Sequence, residues 1–427
     1  MSSNTAKYGG AIFADMMSTF TILESTVKSN LAQTGGAVSV ASRATIIASA
    51  STFSSNRALR DGGAAFTQSG STFVVRNSVL CSNVALEDAG VVFAHGASSV
   101  RVYGSLMTMN SAGQDGGVFF GEELSDVRID GSTMTWNWAV AGGAAITTGT
   151  ASFVVRDSTM NSNTANSNGG AIYAEGSAGV VAYGVICEAN SARAGGAVFA
   201  DDSSNVVLAH STFTSHSTWR GGALYLQEYA NMRLHNVKLA RNFGTLGGAV
   251  YTSGLSTMTM TDSMLAGNSA CEGGGVCACD SSIVNATGCT FERNLAGSLH
   301  SSSQRGGAVR IFDSSAVHLS HCDATLNHAE EVKWIECRLR IFDEIVSWFS
   351  FVLSCQRTAG WCFIRFSEES TFGYAGRCIL LVGQVSPHEG KPDTHLHGLP
   401  PCDVYAHQLP TVGKYCTREF SGRYGAL

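Results

Sequence analysis

One pattern constrains this chain more than any other: a Gly-Gly pair followed by small and aliphatic residues returns every 26 or 27 residues. Copies begin at Gly9, Gly35, Gly62, Gly116, Gly142, Gly169, Gly195, Gly221, Gly247 and Gly273, with Ala89-Gly90 as a variant. A further copy at Gly306 follows a longer step, with Leu299 to Arg305 as the apparent insertion. Self-similarity at such a period marks a solenoid, because one repeat cannot bury its apolar face alone and must stack on the next.

A second column precedes each Gly pair by five or six residues: Asn4, Asn30, Asn56, Asn83, Asn110, Asn137, Asn163, Asn190, His216, Asn242 and Asn268, with Asn294 and Asn327 continuing it around the insertion. Asn tolerates left-handed backbone and bonds neighbouring amides, so such a column at one corner is expected to stack as a ladder. Ten and eight residues upstream of the Asn the pattern alternates, as in Phe73 with Val75, Val100 with Val102 and Val127 with Ile129, which is a strand with one buried face. A turn column follows at Asn77, Gly104, Gly131, Asp157, Gly184, Asn236, Asp262 and Gly288, residue types that accept positive φ.

Each repeat thus reads as a strand after Gly-Gly, an alternating strand, a short strand ending at Asn, and a return, with no room for a crossover helix. The expected fold is all-β: a right-handed parallel β-helix solenoid of the pectin-lyase-like kind, about 12 coils over residues 1–329. Composition agrees, with 48 Gly, 5 Pro and 14% charged residues suiting short strands joined by tight turns. The Gly-Gly-Ala-Ile/Val and Phe-x-x-Asn pair, as in Gly169-Gly170-Ala171-Ile172 and Phe53-Ser54-Ser55-Asn56, resembles the repeat of chlamydial polymorphic outer membrane proteins. That resemblance implies surface-exposed adhesive repeats and hence an extracellular or cell-surface location; no barrel pattern of alternating ten-residue strands follows here.

The ends break the pattern. Asn4 already occupies the Asn column, so the chain begins in mid-coil, without a signal-peptide pattern, as a truncated start would. Residues 330–427 hold all five Pro and six of thirteen Cys and lose the Gly and Asn columns. A capping helix is expected near 335–353, with Ile335, Leu339, Phe342 and Val346 on one face, and the remainder is left unassigned or poorly ordered.

Several residue sets carry functional expectations. Net charge −6 gives no drive toward nucleic acid, and no apolar run is long enough for a transmembrane helix. Glu175, Asp201, Asp202 and Glu228 cluster after the Gly-Gly strand; under a lyase or hydrolase reading they would bind Ca²⁺ or act as acid and base, and otherwise they are a solvated turn edge. Arg76, Arg101, Arg128 and Arg156 fall on the outer face of the alternating strand as a strip for a sulfated or uronic-acid glycan. An aromatic column (Phe13, Phe66, Phe93, Phe120, Tyr173, Phe199, Tyr225, Tyr251) adjoins an apolar one (Ile12, Val38, Val92, Ile172, Val198, Leu224, Val250), and both cannot face inward; core packing of the aromatics is the favoured reading. Cys271, Cys277, Cys279 and Cys289 read as buried thiols before a disulfide set. His388, His395, His397, His407 and Cys402 match no metal-ligand spacing, so no cofactor or metal is expected. The leading expectation is a non-catalytic surface protein binding a glycan or protein partner; the alternatives are a polysaccharide lyase or glycoside hydrolase, and a structural wall or matrix rod.

Overall fold

The computed structural model describes residues 1–297, 305–329, 349–356, 361–368 and 377–384. Short strands stack coil upon coil into parallel sheets that run the length of the solenoid. The strands after Gly-Gly make one sheet of twelve, from Ile12–Ala14 to Val309–Ile311. The strands ending at the Asn corner make another twelve, from Thr26–Lys28 to Asp323–Thr325. The alternating strands, from Thr19–Leu23 to Ala316–Ser320, lie in a sheet of fifteen that also takes in Phe349–Gln356, Trp361–Glu368 and Arg377–Gln384. The return, which the sequence pattern leaves as a bare connection, is itself a strand of two to four residues in most coils, in separate sheets of seven and five.

The core follows from strand alternation. Phe73, Val75, Val100, Val102 and Ile129 point inward from the alternating sheet and are essentially inaccessible to solvent. Val38, Val92 and Val198 face them from the Gly-Gly sheet, and Phe53, Leu80 and Met107 from the Asn sheet. The return strands bury little more than alanine, as at Ala32, Ala58, Ala85, Ala112, Ala139, Ala165, Ala270 and Ala296, because this wall runs closest to the Gly pairs. A Cβ on Gly63 would lie 2.2 Å from the Gly90 carbonyl oxygen, and Gly62 holds φ +70. The pair therefore favours glycine, and the one alanine in it, Ala89, takes the same left-handed backbone at φ 60.

The turn column behaves as its residue types require: Asn77, Gly104, Gly131, Asp157, Gly184, Asn236, Asp262 and Gly288 all lie at φ between 45 and 63°. At the next corner the asparagines stack. The Nδ2 of Asn83 donates to Asn110 Oδ1 at 3.0 Å and to the Phe53 carbonyl at 3.0 Å, while Asn110 Oδ1 also accepts the Asn83 N–H at 2.9 Å. Asn30, Asn56, Asn110, Asn137, Asn163, Asn242, Asn268 and Asn294 repeat this pattern, buried throughout.

A second ladder lies five residues before the Asn. Ser51 N–H donates to Ser78 Oγ at 3.0 Å, and Ser78 Oγ donates to the Arg76 carbonyl at 2.7 Å. Ser105, Ser132 and Ser158 continue the run. The column is plain in the sequence, but serine carries no strong structural signal and the sequence reading passes over it.

The expected helix over 335–353 is corrected at its end. Phe349–Gln356 is a strand, pairing antiparallel with Ala316–Ser320, as the period-two order of Phe349, Phe351 and Leu353 permits. Residues 335–348, the insertion from Leu299 through 304, and the histidine set with Cys402 lie outside the described residues.

Candidate functional site

The aromatic column is where the structure departs most from the expectation. These side chains do not enter the central core; they point outward from the Gly-Gly sheet and are buried nonetheless. Phe93, Phe120, Tyr173, Phe199, Tyr225 and Tyr251 form a second apolar cluster with Ile146 and Cys277. The cause is the corner preceding each Gly pair, which folds over the outside of the sheet: a Cβ on Gly221 would meet Tyr225 Cβ at 3.0 Å. The rings follow one another along the axis, face to face for Phe93 and Phe120 with centroids 4.9 Å apart and edge to face for Phe199 and Tyr225 at 4.8 Å. Phe13, in the first coil, is half exposed.

The stack floors a shallow cleft. Over coils eight and nine it opens to about 480 Å³, with Phe199 and Tyr225 beneath, Arg193, Trp219 and Arg220 on one wall and Gln227 on the other. Trp219 is 63% exposed, close to Trp136 at 66%, and its face is open to a ligand over the cleft. The Arg220 guanidinium lies 5.9 Å from the Tyr251 ring centroid, within cation–π range. Arg193 and Trp219 occupy one position in successive coils, since Ala194 and Arg220 pair in parallel. Among the described residues neither guanidinium makes an ion pair. The sequence reading missed all three residues: Arg220 stands in a column that elsewhere holds mostly Asp, Asn and Ala, while Arg193 and Trp219 share a column with Arg60, Glu87, Gln114 and Ser167 that follows no residue rule.

Further along the same wall the corner residues are acidic. Asp88 Oδ1 accepts the Asp115 N–H at 3.0 Å, and Asp61, Asp88 and Asp115 fill one column. Burial pushes all three carboxyl groups upward, Asp88 to about 7, with its acidic neighbours adding to the shift. On the opposite rim His95 Nδ1 sits 2.6 Å from Glu122 Oε1.

The four sequence-predicted carboxylates separate into two columns. Glu175 and Asp201 directly follow the paired Ala174 and Ala200 and line the rim, half-buried. Asp202 and Glu228 lie one residue further on, exposed in turns at φ 52 and 56. Asp201 Oδ2 accepts from Gln227 Nε2 at 2.8 Å, and Asp202 Oδ2 from the Gly176 N–H at 3.2 Å. Burial raises the Glu175 carboxyl, helped by Asp202, Asp201 and Asp115. Among the described residues no three His, Cys, Asp or Glu side chains converge as metal ligands.

The arginine strip needs correction. Arg101 and Arg128 are Cα partners, but Arg76 pairs with Tyr103 and Arg156 with Asp130 in a second column two residues along. The two central guanidiniums share one carboxylate, Asp126 Oδ2, at 2.7 Å from Arg101 and 3.2 Å from Arg128. Arg76 leans over the Tyr103 ring at 5.7 Å. Aligned guanidinium groups repel unless an anion lies between them, and here Asp126 fills that place.

Residues 185–333 match the family model of the right-handed beta helix region. Residues 157–175, which include the Gly169-Gly170-Ala171-Ile172 copy, match the Chlamydia polymorphic membrane protein repeat. No curated protein and no solved structure matches the chain. Among the described residues no helix is long and apolar enough to cross a membrane.

Proposed function

We propose that this right-handed parallel β-helix, built on polymorphic-membrane-protein-type repeats, acts at a cell surface as a non-catalytic receptor for an extended anionic glycan. The observation that carries the reading is the cleft over Phe199 and Tyr225, where exposed Trp219 stands between two guanidinium groups, Arg193 and Arg220, that have no carboxylate partner among the described residues. An aromatic face stacks on a sugar ring, a guanidinium fork grips a uronate carboxylate or sulfate, and the Gln227 amide can bond a hydroxyl. The cleft is shallow and open, as suits a polymer threading across coils rather than an enclosed small molecule.

The lyase or hydrolase alternative would centre on Glu175, whose raised carboxyl suits a general acid, beside Asp201. Asp201 is already engaged by Gln227, and the ionised partner such chemistry needs is thereby held by an amide.

The test is binding of oligogalacturonate and of sulfated oligosaccharides by calorimetry, together with an assay for unsaturated or reducing ends with and without Ca²⁺. The double variant Arg193→Gln, Arg220→Gln is expected to bind about five- to thirtyfold more weakly, two exposed charged contacts supplying about 1–2 kcal/mol together. Trp219→Ala is expected to fall in the same range, and affinity to drop with salt as screening shortens to about 8 Å at 0.15 M. Arg101→Gln with Arg128→Gln is expected to leave binding unchanged. Turnover that disappears in Glu175→Gln, or binding indifferent to the cleft variants, would overturn the proposal.

A further inference from the structure

The serine ladder ends in sulfur. In the coils that place Ser78, Ser105, Ser132, Ser158, Ser211 and Ser263 at this corner, each hydroxyl accepts an N–H from the preceding coil at 3.0–3.1 Å. The next two coils place Cys289 and then Cys322 there instead, and the Cys289 N–H donates to Cys322 Sγ at 3.4 Å. Each sulfur keeps the second serine contact as well, Cys289 Sγ to the Thr287 carbonyl at 3.4 Å and Cys322 Sγ to the Ser320 carbonyl at 3.3 Å.

We propose that Cys289 and Cys322 are the site of an inter-coil disulfide that staples the coil ending near residue 329 to the coil before it. Three observations carry this. The residues directly after them, Thr290 and Asp323, are Cα partners in parallel strands, so the two Cα atoms stand about one strand spacing apart, ~4.8 Å, inside the ~4.4–6.8 Å range a disulfide spans. Both side chains turn into the same corner, Cys289 at 1% and Cys322 at 6% exposure, so each thiol is the other's nearest reactive neighbour. The remaining cysteines free among the described residues (Cys81, Cys187, Cys271, Cys277 and Cys279) belong to other columns. The hydrogen bond between the two thiols favours the Cys322 thiolate and opposes ionisation of Cys289.

The oxidant is a small disulfide of the glutathione class. Cys322 thiolate attacks one oxidant sulfur, forming a mixed disulfide and releasing one glutathione thiolate. Cys289, losing its proton, then attacks the Cys322 sulfur and releases the second. Two protein thiols are oxidised and one glutathione disulfide is reduced to two thiols. The new bond closes a step of 33 residues that contains the insertion after residue 297.

The test uses the full chain refolded with oxidised and reduced glutathione, then alkylated, digested without reduction and mapped by mass spectrometry. A linked peptide joining Cys289 to Cys322, 2 Da lighter than its reduced parts, is the expected result. Proteolysis between residues 305 and 329 is expected to slow about threefold or more on oxidation and to recover with reductant. Cys322→Ser restores the residue used by eight other coils, so it retains the fold while abolishing both the linked peptide and the protection. Both thiols remaining alkylatable after oxidation, or Cys289 linked to a cysteine other than Cys322, would overturn the proposal.

Discussion

The chain's strongest local specification is the buried asparagine, which uses every donor and acceptor of its side chain in a place where an unmet polar group costs about 1–3 kcal/mol. His216 shows what happens when the residue changes. Its Nδ1 accepts the Asn190 N–H at 3.0 Å and its own N–H reaches Asn242 Oδ1 at 3.0 Å, but Nε2 is buried without a hydrogen-bond partner. Asn190 Nδ2, deprived of a carbonyl in the next rung, turns to Cys187 Sγ at 3.1 Å. Burial holds the imidazole neutral, its pKa lowered to about 4 from 6.5. The unfolded chain therefore binds a proton between pH 6.5 and 4 that the folded chain refuses, and stability falls as pH drops through that window. His216→Asn is expected to gain about 1–2 kcal/mol at pH 7 and more at pH 5, read from urea midpoints at the two pH values. An equal or lower midpoint at both would show that the ladder does not govern this corner.

At the scale of the element, the variable part of a coil is the return. Asn30 precedes its Gly pair by five residues and has a four-residue return, Leu31–Thr34; Asn56 precedes its pair by six and has a two-residue one, Arg57–Ala58. The sixth residue is taken up in the corner at Leu59-Arg60-Asp61, and again at Leu86-Glu87-Asp88 and Gly113-Gln114-Asp115, which puts the three aspartates in one column. Because the Asp88 carboxyl is raised to about 7, the folded state holds a proton that the unfolded state has lost above about pH 4. Its contribution is thus most favourable in acid and is lost as pH rises toward 7, opposite in sign to His216. Asp88→Asn keeps an acceptor for the Asp115 N–H and removes the charge facing Asp61, Asp115 and Glu87. It is expected to raise stability at pH 7.5 and leave it little changed at pH 4.5, measured by the same urea midpoints. A variant less stable at pH 7.5 would mean that the ionised carboxylate is needed.

The sequence makes the coil legible because three columns are chemically narrow: Gly where a Cβ would strike backbone, Asn where both amide groups are used, and alternating apolar residues where one face is buried. It leaves the outer surface open. Phe93 and Val92 are equally apolar, and only the fold of the preceding corner decides that one faces the core and the other an outer cleft. The arginines likewise look aligned by spacing, yet Arg76 pairs with Tyr103, two residues beyond Arg101 in the neighbouring strand. Trp219 and Arg220 stand at places with no residue rule, so their convergence is visible only in three dimensions.

At the scale of the whole molecule, each coil pairs only with the coil before and the coil after, so stability is a sum of neighbouring interfaces rather than the property of one closed core. Removing residues 106–132, one 27-residue coil that begins and ends at the paired positions Leu106 and Thr133, is expected to leave the β-type circular dichroism per residue unchanged and to shorten the rod by ~4.8 Å, read by small-angle scattering. Loss of the β signal would show that distant coils cooperate in a way the pairing does not require.

The return corner, which absorbs one residue without displacing the sheets on either side, has a counterpart in the gene. A codon gained or lost there changes what a coil displays but not how it stacks, and unequal crossing-over between repeats can add or delete whole coils in frame. The exterior of such a scaffold can therefore differ from coil to coil without altering the interior on which the coils stack.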